Sequence, residues 1–74
     1  MNAVDARGKS CPLPIVLLAK AVKAVGPGET VTIQADDRAF PPDVEAWCHR
    51  TGNQLVSLDR NDRGYFDAVI RRLS

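Results

Sequence analysis

Residues 11–35, CPLPIVLLAKAVKAVGPGETVTIQA, carry a helical pattern that is followed at once by a strand pattern. Proline suits the first helical position and keeps the residue before it out of the α region, so we expect the helix to have Cys11 as its N-cap and Pro12 as its first residue. Pro14 then lies within the first turn, where a missing N–H breaks no helical hydrogen bond. The helix should stop after Val25, because Gly26-Pro27-Gly28 follows.

This predicted helix has one apolar face. At about 100° per residue, the side chains that gather on it are Leu17, Leu18, Ala21, Val22 and Val25. Lys20 and Lys23 lie on the opposite side. The strand that follows, Thr30 to Ala35, alternates Val31 and Ile33 with polar residues. The helix is therefore expected to pack on a sheet that contains this strand.

Further elements flank this pair on both sides. A short edge strand is predicted at about residues 2 to 6, where Val4 and Ala6 alternate with polar residues before Gly8. A second helix is predicted over Pro41 to Thr51, with two prolines at its start and Gly52 as its left-handed terminator. Its apolar stripe consists of Val44, Trp47, Cys48 and Thr51.

The last third of the chain predicts an antiparallel hairpin. Two apolar-rich runs, Leu55 to Asp59 and Tyr65 to Arg71, are joined by the turn sequence Asn61-Asp62-Arg63-Gly64. The element order is then β-α-β-α-β-β. Right-handed crossovers place both helices on one face, which gives an α/β two-layer sandwich formed by one domain over residues 1–74. The other face of the sheet stays open, and near Val56-Ser57-Leu58 it should leave apolar surface for a partner.

Composition narrows the classes of function. The 74 residues include ten Lys and Arg and nine Asp and Glu, so the net charge of +1 creates no overall field toward nucleic acid or anionic lipid. The longest apolar run, Leu13 to Ala19, is too short for a membrane span, and no leader pattern is recognised, so we expect a cytoplasmic protein. Two cysteines and one histidine predict reduced thiols and no metal site. Without a glycine-rich phosphate loop, no cofactor is expected.

Cys11 is the residue with the clearest chemical potential. A cysteine at a helix N-terminus faces the positive end of the helix dipole, which favours a thiolate, and Arg7 and Lys9 add positive charge nearby. Pro12 and Pro14 remove two backbone donors, and we expect the N–H groups of Leu13 and Ile15 to face the sulfur. Isolated cysteines are more often small buried apolar residues, and prolines are common at the starts of helices for structural reasons alone. The spacing by itself therefore slightly favours a structural role for Cys11.

A resemblance to a known family changes that balance. Asp5-Ala6-Arg7-Gly8 followed by Cys11-Pro12-Leu13-Pro14 resembles two signature elements of the TusA/SirA-like sulfur-carrier family. The remaining matches, in chain order, are Lys20, Ala21, Gly28-Glu29, Asp36-Asp37, Asp43, Trp47-Cys48 and Thr51-Gly52. The chain departs from the family pattern at Arg38, where proline is common, and at Pro41-Pro42, so a local difference is expected at the start of the second helix.

The resemblance implies a fold and a function. It implies a mixed four-stranded sheet and a persulfide on Cys11, whose sulfur comes from a cysteine desulfurase or rhodanese and passes to an acceptor sulfurtransferase. Family pathways include tRNA thiolation, molybdenum-cofactor synthesis and sulfur oxidation. Such a protein acts stoichiometrically rather than as a stand-alone enzyme, and is expected to be a monomer when free, without membrane or direct nucleic-acid contacts.

The alternative function is a regulatory or RNA-binding module that uses the open sheet face and Arg71-Arg72. Near-neutral charge and the absence of an RNP-type aromatic pattern weigh against it.

For three other residues the sequence allows two roles each. Arg7 either pairs with Asp5 or attracts an anionic sulfur, and Asp37 either caps the second helix or its preceding turn or has a functional role. Cys48 is expected to be buried beside Trp47, with a resolving thiol as the less favoured alternative.

Two surface features complete the predictions. His49 is expected on the solvent side with no catalytic role. A docking face is predicted beside Cys11, with apolar Ile15, Val16 and Ala19 next to Lys20 and Lys23.

Overall fold

The computed structural model describes residues 3–73, which form two helices and four strands. In chain order they are β1 (Ala3–Ala6), α1 (Leu13–Lys23), β2 (Thr30–Ala35), α2 (Phe40–Thr51), β3 (Gln54–Arg60) and β4 (Phe66–Arg71). The element order and the bounds of β2 are as predicted. Asn2, which the first predicted strand included, lies outside the described residues.

The sheet is mixed and has the strand order β1-β2-β4-β3. β1 runs parallel to β2, with Ala6 beside Ala35, whereas β4 is antiparallel to both β2 and β3. α1 packs on β1 and β2, α2 packs on β3 and β4, and the two helices also contact each other. The predicted α/β two-layer sandwich, with both helices on one face, is confirmed.

The predicted start of α1 is wrong by one residue. The helix begins at Leu13, and its N-cap is Pro12 rather than Cys11. The Leu13 N–H donates to the carbonyl of Ser10 at 2.9 Å, which closes a turn before the helix, and the Cys11–Pro12 peptide bond is cis. Cys11 therefore lies in a turn that leads into the helix.

The end of α1 also differs from the prediction, because the helix stops at Lys23 and not at Val25. The Ala24 N–H bonds to the carbonyl of Ala21 at 3.1 Å and the Val25 N–H to that of Val22 at 3.4 Å. These shorter-range bonds tighten the last turn and end the α-helical pattern. Val25 is nonetheless buried.

The core lies between the helices and the sheet. α1 contributes Leu18 and Val22, whereas Leu17 and Ala21, predicted on the same face, are half-buried at its margin. The other buried apolar side chains are Ala6, Val25, Val31, Ile33, Ala35, Phe40, Val44, Trp47, Cys48, Ala68 and Ile70. Since β2 contributes alternate residues to this set, its remaining side chains lie on the open face of the sheet.

α2 begins at Phe40, one residue before the predicted start, and ends where predicted. Gly52 has φ +77°, and the N–H groups of Gly52 and Asn53 both donate to the carbonyl of Cys48, at 2.9 and 3.1 Å. A left-handed glycine thus terminates the helix as expected.

The hairpin forms, with Phe66 rather than Tyr65 as the first residue of β4. A register shift between Leu55 and Ser57 interrupts β3, and Val56 beside it is 45% exposed. The sheet therefore presents apolar surface at Val56. Among residues 3–73, neither helix has the length and apolar character needed to cross a membrane.

Candidate functional site around Cys11

The loop between β1 and α1 is held by two carboxylates that follow β2. Because β1 and β2 are parallel neighbours, this loop and Asp36-Asp37 leave the sheet at the same edge. The Gly8 N–H is shared between both carboxylate oxygens of Asp36, each at 3.0 Å, and the Cys11 N–H donates to Oδ2 of Asp37 at 3.0 Å. The acidic pair therefore fixes the backbone on which the cysteine is carried.

The Asp37 side chain was predicted either to cap the second helix or its preceding turn or to have a functional role. The N-cap of α2 is Ala39, and within residues 3–73 no side chain forms a capping hydrogen bond at the start of that helix. Only the backbone carbonyl of Asp37 serves the preceding turn, by accepting the Phe40 N–H at 3.0 Å. The carboxylate crosses instead to Cys11, 26 residues away in sequence.

Cys11 itself is exposed, in an open cleft between the start of α1 and the outer side of α2. The α1 side of this cleft is formed by Pro12 and Ile15, and the α2 side by Asp43, Ala46 and Arg50. A thiol in this position is accessible to a group on another protein.

The electrostatic environment of Cys11 contradicts the predicted acidic thiol. Its pKa is raised, first because the thiol donates a hydrogen bond to the Asp43 carboxylate, then through partial loss of hydration and the negative charges of Asp43 and Asp37. The prediction failed because α2 brings the carboxylate of Asp43 close to the sulfur of Cys11, although the two residues are 32 positions apart in the sequence.

One of the expected backbone donors is also engaged elsewhere, since the Leu13 N–H is bonded to Ser10 and does not face the sulfur. The corresponding role of the Ile15 N–H stays a prediction. The proline side chains differ from each other: Pro14 is fully buried against the core, whereas Pro12 is exposed and lines the cleft. Pro14 therefore contributes packing in addition to its place in the first helical turn.

Arg7 forms an ion pair with Asp5, which was one of the two roles predicted for it. Its guanidinium contacts both carboxylate oxygens of Asp5, with Nε at 2.9 Å and Nη2 at 3.1 Å, and lies 5.1 Å from the centre of the Tyr65 ring. Hydrogen bonds from Arg7 lower the pKa of Asp5 to about 2, and the charge of Lys9 contributes to the same effect. Both predicted cations thus act on Asp5, and the carboxylates of Asp43 and Asp37 dominate at Cys11.

Cys48 and His49 lie where the sequence predicted. Cys48 is buried in α2, and burial raises the pKa of its thiol, whereas His49 is exposed. The predicted apolar surface beside Cys11 is present on α1, where Val16 is 42% exposed and Ile15 and Ala19 are partly exposed. Leu13, 49% exposed, extends it.

Two acidic contributors to the site, Asp36 and Asp43, received no role from the sequence. The available signal was their position, because Asp36 follows β2 directly and Asp43 lies in the first turn of α2. Both residues also belong to the pattern that resembles the family.

Comparison with known proteins places this chain in a family. Residues 2–72 match the model of the family described as Sulfurtransferase TusA, and the chain belongs to this family. A protein of Archaeoglobus fulgidus named "Putative sulfur carrier protein" is 33% identical over 73 residues, which cover 99% of both chains. A Neisseria meningitidis serogroup A protein with a sulfur-carrier name is 37% identical over 70 residues, covering 95% of this chain and 93% of its own.

The fold is shared with a solved structure. The crystal structure of a SirA-like protein from Desulfitobacterium hafniense superposes with a TM-score of 0.87 at 25% identity, over the full length of both chains.

Proposed function

We propose that this chain is a sulfur carrier that holds sulfane sulfur as a persulfide on Cys11 and relays it to an acceptor protein. Family membership and the sulfur-carrier names of its relatives support the carrier role. The observation that carries the assignment to Cys11 is its exposure in an open cleft, in contrast to the buried Cys48.

Loading is a thiol exchange with a donor persulfide. The Cys11 sulfur attacks the outer sulfur of the donor, one S–S bond forms as the donor's own S–S bond breaks, and the donor leaves as a thiolate that takes up a proton. Electrons and atoms balance without a cofactor. A cysteine desulfurase or a rhodanese is the class of donor that presents such a persulfide.

Release repeats the same chemistry in the other direction. An acceptor thiolate attacks the outer sulfur of the Cys11 persulfide, and the Cys11 thiolate is the leaving group. Since Cys48 is buried, it is poorly placed to attack this persulfide in the folded protein. The attacking thiol is therefore supplied by the partner, an acceptor sulfurtransferase.

Intact mass spectrometry tests the proposal. After incubation with a cysteine desulfurase and cysteine, or with a rhodanese and thiosulfate, the protein should gain the mass of one sulfur atom, and a reductant should remove it. Cys11→Ser should gain nothing, whereas Cys48→Ser, the matched control, should load like the parent protein. Loading of Cys11→Ser, or failure of the parent protein with both donors, would contradict the assignment.

A further inference from the structure

Asp43 is a charged group that lines the cleft of the proposed sulfur site. It lies in the first turn of α2, is half-buried, and lines the same cleft as Cys11, where hydrogen bonding with it is the first cause of the raised Cys11 pKa. Its backbone is fixed, because its own N–H continues the helical pattern by donating to the carbonyl of Ala39 at 3.0 Å. The Cys11 side is equally fixed, because Asp37 holds the backbone N–H of the cysteine.

The charged groups near Cys11 belong to three parts of the chain. Asp37 approaches from the segment before α2, Asp43 and Arg50 line the cleft from α2, and Lys9 lies in the cysteine's own loop. The two carboxylates are the groups that act on the Cys11 pKa, and both oppose ionisation. A thiolate formed here faces negative charge before any partner is bound.

We propose that Asp43 is a positioning residue that lines the Cys11 cleft and holds the cysteine as a protonated thiol in the free protein. This inference rests on the proposed carrier function. During loading, the proton between Cys11 and Asp43 leaves as the new S–S bond forms, and the departing donor thiolate takes up one proton. In the net reaction, the Cys11 thiol and the donor persulfide become the Cys11 persulfide and the donor thiol.

The same carboxylate acts on the loaded protein. A persulfide placed in this cleft meets the same negative charge, which favours its neutral S–SH form over the anion. The neutral form is the one that an incoming acceptor thiolate attacks, because its outer sulfur carries no negative charge. Asp43 thus suppresses nucleophilic reactions of Cys11 and keeps the cargo electrophilic.

The test is the pH dependence of Cys11 alkylation in Asp43→Asn, with peptide mass analysis used to separate Cys11 from Cys48. Iodoacetamide is suitable because it is neutral. Asparagine keeps the size and an acceptor oxygen but removes the charge, so the midpoint should move to lower pH. At a pH well below the midpoint, a tenfold rise in the thiolate fraction should raise the net rate only about threefold, because a less basic thiolate is a weaker nucleophile.

Well above the midpoint the order of the rates should reverse, with the parent protein reacting faster than Asp43→Asn. A change in accessibility would alter the rate in one direction at every pH, so the crossing separates the two causes. Glu45→Gln is the matched control, because it removes the same charge from the exposed side of the same helix and should leave the profile unchanged. Asp43→Glu should retain most of the parent midpoint.

Equal midpoints for the parent protein and Asp43→Asn would overturn the inference, as would an equal shift in Glu45→Gln. Alkylation involves no sulfur donor, so this result is independent of whether Cys11 carries sulfur. The loading assay on the parent protein decides that separate question.

Discussion

At the scale of single residues, the reactivity of Cys11 is decided by side chains that are distant in sequence. The thiol meets Asp43 and the backbone N–H meets Asp37, and both residues belong to the β2–α2 region of the chain. Arg7 does not offset them, because it is bound to Asp5. The cysteine is therefore well positioned but electrostatically unactivated.

Replacement of Asp37 should separate positioning from charge. Asp37→Asn keeps an oxygen for the Cys11 N–H but removes a charge, so the alkylation midpoint should fall by less than in Asp43→Asn, since Asp37 makes the smallest contribution to the raised Cys11 pKa. Asp37→Ala also removes the hydrogen bond and should lower the free energy of unfolding by about 1 kcal/mol in urea titrations. A larger change of midpoint in Asp37→Asn than in Asp43→Asn would contradict this ranking.

At the scale of elements, the two helices are ended by different means. α2 ends at a left-handed glycine, whereas the last carbonyls of α1 are met by a side chain from the end of the chain. Nη1 of Arg72 donates to the carbonyls of Val22, Lys23 and Val25. A cation at a helix C-terminus is stabilised by the helix dipole. Arg72, which the RNA-binding alternative would have used, thus has a structural role.

Arg72→Gln should therefore destabilise the protein by about 1 to 2 kcal/mol, because it removes both the charge and part of the hydrogen bonding at the end of α1. Arg71→Gln is the control, since Arg71 is exposed and the substitution should cost little. Urea unfolding curves of the two variants measure the difference. Equal stability of the two would show that the capping of α1 by Arg72 contributes nothing.

At the scale of the whole molecule, the sheet unites the site and the core. The parallel pairing of β1 with β2 places the cysteine loop beside Asp36-Asp37, and the packing of α1 against α2 brings Asp43 to the sulfur. The same packing buries Cys48 in the core. One arrangement of layers thus exposes one thiol and protects the other.

Burial of Cys48 predicts a loss of stability in alkaline solution. Its pKa is raised above the ordinary value of 9.0, so the folded state favours the neutral thiol. The unfolded state then releases its proton first, and the contribution to stability, complete below pH 9, is lost as the pH rises through the folded-state pKa. Cys48→Ala should be less stable at neutral pH by about 1 kcal/mol, from lost packing, but should lose less stability between pH 8 and pH 10. Parallel pH profiles from urea unfolding would contradict this.

The sequence by itself determined which segments become helices and strands, since apolar periodicity and turn residues are local signals. The strand Thr30–Ala35 and the terminator Gly52 both follow from such signals. Only the tertiary structure decided the state of the sulfur, because Coulomb interactions and hydrogen bonds depend on distance in space. Asp43 reaches Cys11 through the packing of α2 against α1, and no pattern within either helix encodes that contact.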